Sequence, residues 1–500
     1  MIDGAVIERD LNETADVVVV GTGAGGAVAA AELAEAGQSV IVLEEGGYHA
    51  GKDMTGDPLT MFRRLYRAGG LTGTVGNAAI PVPMGACVGG TTTINSGTCY
   101  RAPVSVLRDW ERLFGLRGFG DGALDEHYAD VEKFLGVKPV PEKNLGRAAE
   151  LFRAGTEKLG YAGAPIPRNE KGCRATGVCA FGCPRDAKMA THVSYVPRAK
   201  KAGARVFTRC RAAAVLTDRG RAVGVVARFL GADGRPTGHS LRVLANAVFV
   251  AAGAIHTPAL LARSGLGGAR SNVGRHLRIH PAVRVAATFN EKINGWKGVP
   301  QSYNVHHFTE EGIFIQGQFA PPGVEAVSMP FVGRRHKELV ENYERLASFG
   351  ALISDVSSGR VVGGKNGEPM MWYWMRAEDV RKMRRAVAIT ARIFLAAGAR
   401  EVYPCVRPFP ILRTDAGVAA LERARLRASD FEMMAFHPMG TARMGRDPAT
   451  SAVNPDGEHH AARGLYVADA SLFPSSTKVN PQLTIMALSR RVARNFAEKL

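Results

Sequence analysis

The sequence predicts an α/β protein: a βαβ dinucleotide-binding domain joined to a second domain made of an antiparallel sheet backed by helices. Three features predict it. The glycine turn Gly21-Thr-Gly-Ala-Gly-Gly26 lies between the apolar run Val17–Val20 and the small-residue run Ala27–Ala36. Residues 282–376 carry strand-like segments such as Gly312–Gln316 and Met370–Trp374. Residues 378–398 set Val380, Met383, Val387, Ala391 and Phe394 at helical spacing, with Gly398 as the stop.

The opening unit is the most specific of the three. Strand, glycine turn and helix lead to a second apolar run, Val40–Leu43, which ends in Glu44. This is Rossmann-like spacing. Gly21 permits the tight turn, Gly23 lets a pyrophosphate approach the backbone, and Gly26 lets the helix pack on the strand. The helix N-terminus offers free N–H groups to the phosphates. Glu44 stands where a carboxylate takes the ribose hydroxyls. Residues 47–84 follow, rich in Gly and Pro with little periodicity, and read as a covering excursion. Ala213–Leu216, Ala222–Ala227 and Ala247–Ala251 read as strands, the last closing on Ala252-Gly253. Gly464–Ala468 reads as a strand and a final helix follows Pro481, so both chain ends build the dinucleotide domain. The expected division assigns 1–46, 85–150, 190–280 and 430–500 to that domain and 47–84 to a lid. Residues 151–189 form a cysteine-containing loop segment, and 281–429 form the substrate domain.

A chain of 500 residues, 46% of them hydrophobic, fills a sizeable core and is not disordered. Its net charge is +18, yet the basic residues are scattered. Clusters such as Arg198–Lys201 and Arg381–Arg385 lie on helix-like segments. Solvated helix faces explain them, and no nucleic-acid partner is expected. An anionic membrane surface or an acidic redox partner stays open. The first 14 residues include Asp3, Glu8, Arg9, Asp10 and Glu13 and lack the apolar core of a secretory signal. Val17–Ala31 is too short and glycine-broken to span a bilayer. The expectation is a cytoplasmic protein, with peripheral contact at the inner face of the membrane left open. Seven cysteines, an odd number without a signal, argue against a disulfide framework.

Four further segments carry a family likeness. They are the second glycine loop Gly85–Asn95, with Gly89, Gly90 and Thr91; the long segment Gly253–Gly267 followed by Asn272–Leu277; His437–Gly445; and Val467–Thr484, with Asp469 and Asn480-Pro481. Together they resemble the glucose–methanol–choline (GMC) oxidoreductases, which are flavoenzymes, from about residue 15 to the C-terminus. Within that family the chain is similar to the long-chain fatty alcohol oxidase branch at Leu43–Tyr48, Ala68–Leu71 and Ala396–Ala399. Around Cys179–Lys188 it is similar to bacterial steroid-alcohol oxidases. The resemblance implies an FAD-binding Rossmann-like domain of GMC type, holding FAD rather than NAD. The second loop and the strand at Asp469 agree, since a shorter cofactor leaves them without a role. The implied cofactor contacts are Gly21, Gly23, Gly26, Glu44, Gly89, Gly90, Thr91, Asn95, Gly253, Asp469, Pro481 and Thr484, with Asp469 near the ribityl–pyrophosphate region. Some relatives tether FAD through a histidine beside the loop asparagine. That position is Ile94 here, which implies non-covalent FAD.

Alcohol oxidation by a flavin removes a hydroxyl proton and a carbinol hydride, so a protein base is needed. The resemblance assigns that base to His437 and a hydrogen bond to the substrate oxygen to Asn480. Asn480, just before Pro481 and an apolar-periodic helix, also reads as a helix N-cap. That helix start, with Thr484 in its first turn, faces the flavin pyrimidine in this reading. Cys173, Cys179 and Cys183 end on Pro184. They read as buried structural thiols, as ligands of a 3Fe–4S cluster like that of the related glucose dehydrogenases, or as a zinc site or disulfide. The expected function is an FAD-dependent alcohol oxidase or dehydrogenase acting on an apolar, long-chain aliphatic or steroid-like alcohol. Oxygen, a quinone or a redox protein accepts the electrons. The alternatives are a sugar or polyol dehydrogenase with that cluster, and a non-redox lyase of the same family.

Overall fold

Val17, Val18 and Val19 are fully buried and Val20 is 5% exposed. A run buried on both faces needs a central strand with parallel neighbours. The computed structural model, which describes residues 1–268, 271–327, 329, 331–363 and 368–500, provides one. The strand Leu11–Val20 lies inside an eight-stranded sheet. Its order is Ile2–Asp3, Arg205–Thr208, Val40–Leu43, Leu11–Val20, Pro236–Val250, Arg221–Leu230, Cys210–Asp218, and Leu465–Val467 also pairs with Pro236–Val250. The pairings are parallel except those of Arg221–Leu230, which is antiparallel to both neighbours. Register aligns Val20 with Leu43 and Val250, and Val250 with Val467. Gly21, Glu44, Ala251 and Ala468 therefore leave the sheet along one carboxyl edge, the edge where open α/β sheets bind ligands.

The second sheet is antiparallel throughout. It runs Glu401–Tyr403, Pro281–Thr288, Leu346–Ile353, Ile313–Gly317, Tyr303–Val305, Gly163–Pro165, and Met433–Ala435 joins the Pro281–Thr288 strand. Val283, Val285, Ile313, Ile315, Ala351 and Ile353 share one core with Val380, Met383, Val387, Ala391 and Phe394 of the helix Ala377–Ala396. Gly398, at φ 93°, ends that helix by returning its N–H to Leu395 at 3.0 Å.

One expectation is corrected. Met370–Trp374 does not extend the antiparallel sheet. The strand Pro369–Tyr373 pairs antiparallel with Arg360–Gly363 and parallel with Thr74–Gly76, making a separate three-stranded sheet. Its third strand comes from the 47–84 excursion, a partner so distant in sequence that no local pattern announces it. The excursion also holds the helix Pro58–Leu65, capped by Asp57 accepting the Thr60 N–H at 2.7 Å. Met61, Leu65 and Tyr66 pack there against Cys87, Ile94 and Phe181. Among the described residues, no helix is long and apolar enough to cross a membrane.

Candidate active site

Each glycine of the opening turn has its own reason. Gly21 sits at φ 102°, and a Cβ there would meet the Ala251 carbonyl oxygen at 2.4 Å. A Cβ on Gly26 would lie 2.1 Å from the Gly21 oxygen, so close packing of helix on strand excludes one. A Cβ on Gly23 would meet nothing within 4 Å. The protein does not need that glycine for its own packing; the space above it is a cradle that a side chain would enter. Glu44 is buried and braces the turn: Oε2 accepts the Thr22 N–H at 3.0 Å and Oε1 accepts the Gly46 N–H at 2.8 Å. Burial raises its carboxyl pKa, against these hydrogen bonds.

The second loop comes up against the first. The Thr22 hydroxyl accepts the Gly89 N–H at 2.9 Å, and a Cβ on Gly90 would be 3.1 Å from the Gly23 Cα. Gly89 and Gly90 have φ of 95° and 50°. Thr91 takes the Gly85 N–H at 3.2 Å. Asn95 accepts the Gly97 N–H at 3.0 Å and donates to Gln482 at the start of the final helix. Buried Lys188 donates to the carbonyls of Thr93, Asn95 and Cys179, fastening this loop from behind. Ile94 points into the apolar cluster with Met61 and Phe181. Asp469 lies at the third strand end. Its Oδ2 accepts the Gly253 N–H at 2.8 Å and the Thr257 hydroxyl, and Oδ1 accepts the Ser471 N–H at 2.7 Å. Gly21, Gly23, Gly26, Glu44, Gly89, Gly90, Asn95, Gly253 and Asp469 thus gather around the carboxyl edge of one sheet, and the open space over Gly23 suits the close approach of a dinucleotide's phosphates.

The final helix spans Gln482–Ala497, with Pro481 at its N-cap. The N-cap reading of Asn480 is corrected: Asn480 stands one residue earlier and its side chain goes elsewhere. Its Nδ2 is 3.3 Å from Nε2 of His437, and its Oδ1 is buried without a partner among the described residues. The Thr484 hydroxyl is 2.9 Å from the Tyr128 hydroxyl.

His437 has a second neighbour. Nδ1 of fully buried His280 lies 3.3 Å from Nδ1 of His437. Sheet pairing brings them together: Pro281 pairs with Ala435, and Arg278 and Met439 exchange backbone hydrogen bonds of 3.0 and 2.9 Å. Burial, helped by His280 beside it, holds the His437 pKa well below the ordinary histidine value. Burial also brings His280 down to about 3, with Lys382 adding to it. Both rings are neutral near pH 7. If Nδ2 of Asn480 donates to Nε2 of His437, the His437 proton sits on Nδ1 and is donated to Nδ1 of His280. Nε2 of His437 then carries the lone pair beside Asn480.

His280 holds a left-handed backbone, φ 50°, which costs a non-glycine residue on the order of 1 kcal/mol. Asp355 holds it there. Asp355 accepts the Ile279 N–H at 3.0 Å, the Tyr373 hydroxyl at 2.8 Å and the Ser476 hydroxyl at 3.0 Å. Sequence reasoning did not single out His280 or Asp355. One signal was present: His280-Pro281 opens a strand, as His437-Pro438 follows one. Ala282 and Val479, close in sequence to His280 and Asn480, belong to a buried apolar cluster. Phe314 and Leu352 of the antiparallel sheet cluster with Val479, Tyr100 and Ala282.

The three clustered cysteines line one small cavity with Arg168, Glu170 and Lys188. The Cys179 Sγ accepts from Arg168 at 3.3 Å, the Cys173 Sγ accepts the Ala175 N–H at 3.4 Å, and the Cys183 N–H meets the Met54 Sδ at 3.0 Å. Among the described residues, no group of three His, Cys, Asp or Glu is placed to hold a metal ion. The thiols do not fit an iron–sulfur cluster.

Comparison with known proteins accords with this geometry. The GMC oxidoreductase family matches twice, over residues 62–282 and 357–489, and an FAD binding domain matches residues 16–53. An uncharacterized GMC-type oxidoreductase of Mycobacterium tuberculosis is 40% identical over 97% of this chain and 76% of its own length. A long-chain-alcohol oxidase of Arabidopsis thaliana is 30% identical over 97% of this chain and 67% of its own length. Among solved structures, a formate oxidase superposes with a TM-score of 0.74 at 16% identity, covering 98% of this chain and 99% of its own. A pyridoxine 4-oxidase from Mesorbium loti gives 0.70 at 18% identity, over 97% and 99%. At those identities the structural likeness speaks for the fold alone.

Proposed function

The chain belongs to the GMC oxidoreductase family, an FAD-dependent family, and from that premise we propose that it oxidises an apolar alcohol with His437 as the base. The observation that carries the proposal is the 3.3 Å approach of Asn480 Nδ2 to His437 Nε2. A carbinol oxygen entering between them displaces the direct Asn480–His437 hydrogen bond, donates its proton to the Nε2 lone pair and accepts from Nδ2. As the carbinol O–H bond breaks toward Nε2, the oxygen's electron pair forms the carbonyl. FAD held in the glycine cradle supplies the acceptor for the hydride that leaves the carbinol carbon.

The remaining work belongs to side chains. His280 keeps the His437 proton on Nδ1, so the lone pair lies on Nε2, held by Asn480 until a substrate hydroxyl takes its place. Asp355 holds the His280 backbone and, through Ser476, the segment that leads to Asn480. Gly21, Gly23, Gly26, Glu44, Gly89, Gly90, Thr91, Asn95, Gly253, Asp469, Pro481 and Thr484 are the proposed cofactor contacts. With Ile94 in an apolar cluster, the attachment is non-covalent. The apolar cluster of Phe314, Leu352 and Val479, the last adjacent in sequence to Asn480, supports an aliphatic or steroid-like substrate, and so does the likeness to a long-chain-alcohol oxidase. Oxygen, a quinone or a redox protein completes the cycle.

The test is anaerobic. Holoprotein is mixed with 1-dodecanol, a sterol, glucose or a cyanohydrin, and the flavin band near about 450 nm is followed. Bleaching by dodecanol or the sterol is expected. Bleaching by glucose alone contradicts the apolar substrate. Cyanohydrin cleavage without bleaching by any alcohol contradicts the redox reading.

A further inference from the structure

Among the described residues, nothing covers the outer face of the small three-stranded sheet. Along Pro369–Tyr373 the side chains alternate: Met371 and Tyr373 are buried, whereas Met370, Trp372 and, just past the strand, Trp374 are 39%, 41% and 60% exposed. Register continues the outer face onto both neighbours. Trp372 pairs with Val75, which is 49% exposed, and Met370 pairs with Val362, which is 37% exposed. Two indoles, a methionine and two valines thus share one solvent-facing surface, where a monomer ordinarily presents polar groups.

The edge of that surface is basic. Arg360 stands opposite Trp372 on the same face. The segment Gly274–Arg278 runs beside the Arg360–Gly363 strand: the Val361 N–H donates to Gly274 at 2.7 Å, and Leu277 and Gly359 exchange hydrogen bonds of 3.1 and 2.8 Å. Arg275, Arg278, Arg360 and Arg443 surround His276, whose pKa burial and these four cations bring down to about 4. Among the described residues, Arg278, Arg360 and Arg443 make no ion pair; Arg278 and Arg443 donate to the Ser357 and Thr450 carbonyls. Arg278, Arg360 and Arg443 thus line one edge of the apolar face on a chain of net charge +18, while the exposed carboxylate of Glu368, just before the strand, pairs with Arg211 at 3.8 Å.

We propose that this face docks on an anionic lipid bilayer. Indole and methionine side chains enter the headgroup boundary, where tryptophan is favoured, while the arginine rim meets anionic headgroups. A second copy of this chain is disfavoured by charge, because two-fold pairing of the face sets arginine rim against arginine rim. The face also lies one strand away from the candidate site: Tyr373, on its inner side, donates to Asp355, which accepts the backbone N–H groups of Ile279 and His280. Docking would bring that site to the surface where apolar alcohols dissolve. The proposal adds to the proposed function without resting on it, since lipid binding is measured without turnover.

Flotation of the FAD-loaded protein with vesicles tests it. Vesicles of phosphatidylcholine alone are compared with vesicles containing phosphatidylglycerol. Binding to the anionic vesicles is expected, weakened by salt and weakened about tenfold or more in Trp372→Ser/Trp374→Ser and in Arg360→Glu. Equal binding by the variants, or none by the parent, overturns the proposal. Retention on immobilised polyglutamate without vesicle binding overturns it in favour of an acidic protein partner. Loss of a dimer in light scattering on the same substitutions overturns it in favour of self-association. Should the serine variants fail to fold, lipids with brominated chains must quench the parent's tryptophan emission and quench Trp372→Phe/Trp374→Phe much less, because of the two tryptophans left Trp110 is fully buried and Trp296 is partly buried against Tyr343 in another cluster.

Discussion

The imidazoles of His280 and His437 meet through their Nδ1 atoms at 3.3 Å, with ring planes 89° apart. Two histidines 157 positions apart in sequence are joined by the pairing of Pro281–Thr288 with Met433–Ala435. The edge-on contact leaves Nε2 of His437 turned toward Asn480. Orientation of the proposed base is thus a product of sheet register.

Removing His280 is expected to slow alcohol-driven flavin bleaching by up to about a hundredfold while FAD stays bound, the scale for a misplaced catalytic group. His280→Ala loses the acceptor for the His437 Nδ1 proton. His280→Gln keeps an amide oxygen that can take it, and is expected to recover part of the rate. If the two variants are equally slow and equally unstable, His280 acts only as packing.

The low His437 pKa gives a pH dependence. A neutral imidazole is the competent base, and an ordinary histidine half-protonates near about pH 6.5. Here burial and His280 disfavour the charged ring, so it stays neutral well below that pH. The anaerobic bleaching rate should be level from about pH 8 down to about pH 6 and fall only under more acid conditions. A midpoint at about pH 6.5 contradicts this environment.

Two glycines separate cofactor binding from folding. Gly26→Ala places a Cβ 2.1 Å from the Gly21 oxygen and is expected to destabilise the fold. Gly23→Val fills open space, so the apoprotein should melt like the parent while FAD affinity drops by about tenfold or more. Thermal melts with and without added FAD distinguish the two. Unchanged FAD affinity in Gly23→Val would remove the cradle assignment.

Buried and half-buried histidines set an acid limit on stability. His280 is held to about 3, and His127, His276 and His459 to about 4, each mainly by burial. The unfolded chain protonates them at their ordinary value. Between those limits the unfolded state binds more protons, so stability falls as pH drops below about 6.5. Melting temperature should decrease from about pH 7 to about pH 5, with a smaller slope in His280→Asn. A flat or rising trend contradicts the sign.

The βαβ unit was legible because its signal is local: apolar runs, glycine spacing and Glu44 lie within one short stretch. The helix Ala377–Ala396 was legible from its apolar period and from Gly398. Met370–Trp374 was assigned to the wrong sheet because its pairing partner, Thr74–Gly76, lies in a segment without periodicity. His437 and Asn480 were singled out through a family motif. His280 did not, since one histidine among 13 carries no local mark, and its meaning arises only when two His-Pro corners are paired across strands. Asn480 was ambiguous because an asparagine before Pro481 satisfies a capping rule as well as a substrate contact. The side chain's direction, which decides, is a tertiary property.

The most direct measurement is rapid anaerobic mixing of His437→Ala with a long-chain alcohol, following the flavin absorbance. The substitution should leave FAD bound, because His437 stands apart from the glycine cradle. It should slow bleaching by about 10²–10⁴-fold, the range for loss of a general base, with partial recovery at high pH. Asn480→Ala should be milder, because it removes one hydrogen bond and not the proton acceptor. A His437→Ala protein that bleaches as fast as the parent would show His437 to be structural and the proposed mechanism to be wrong.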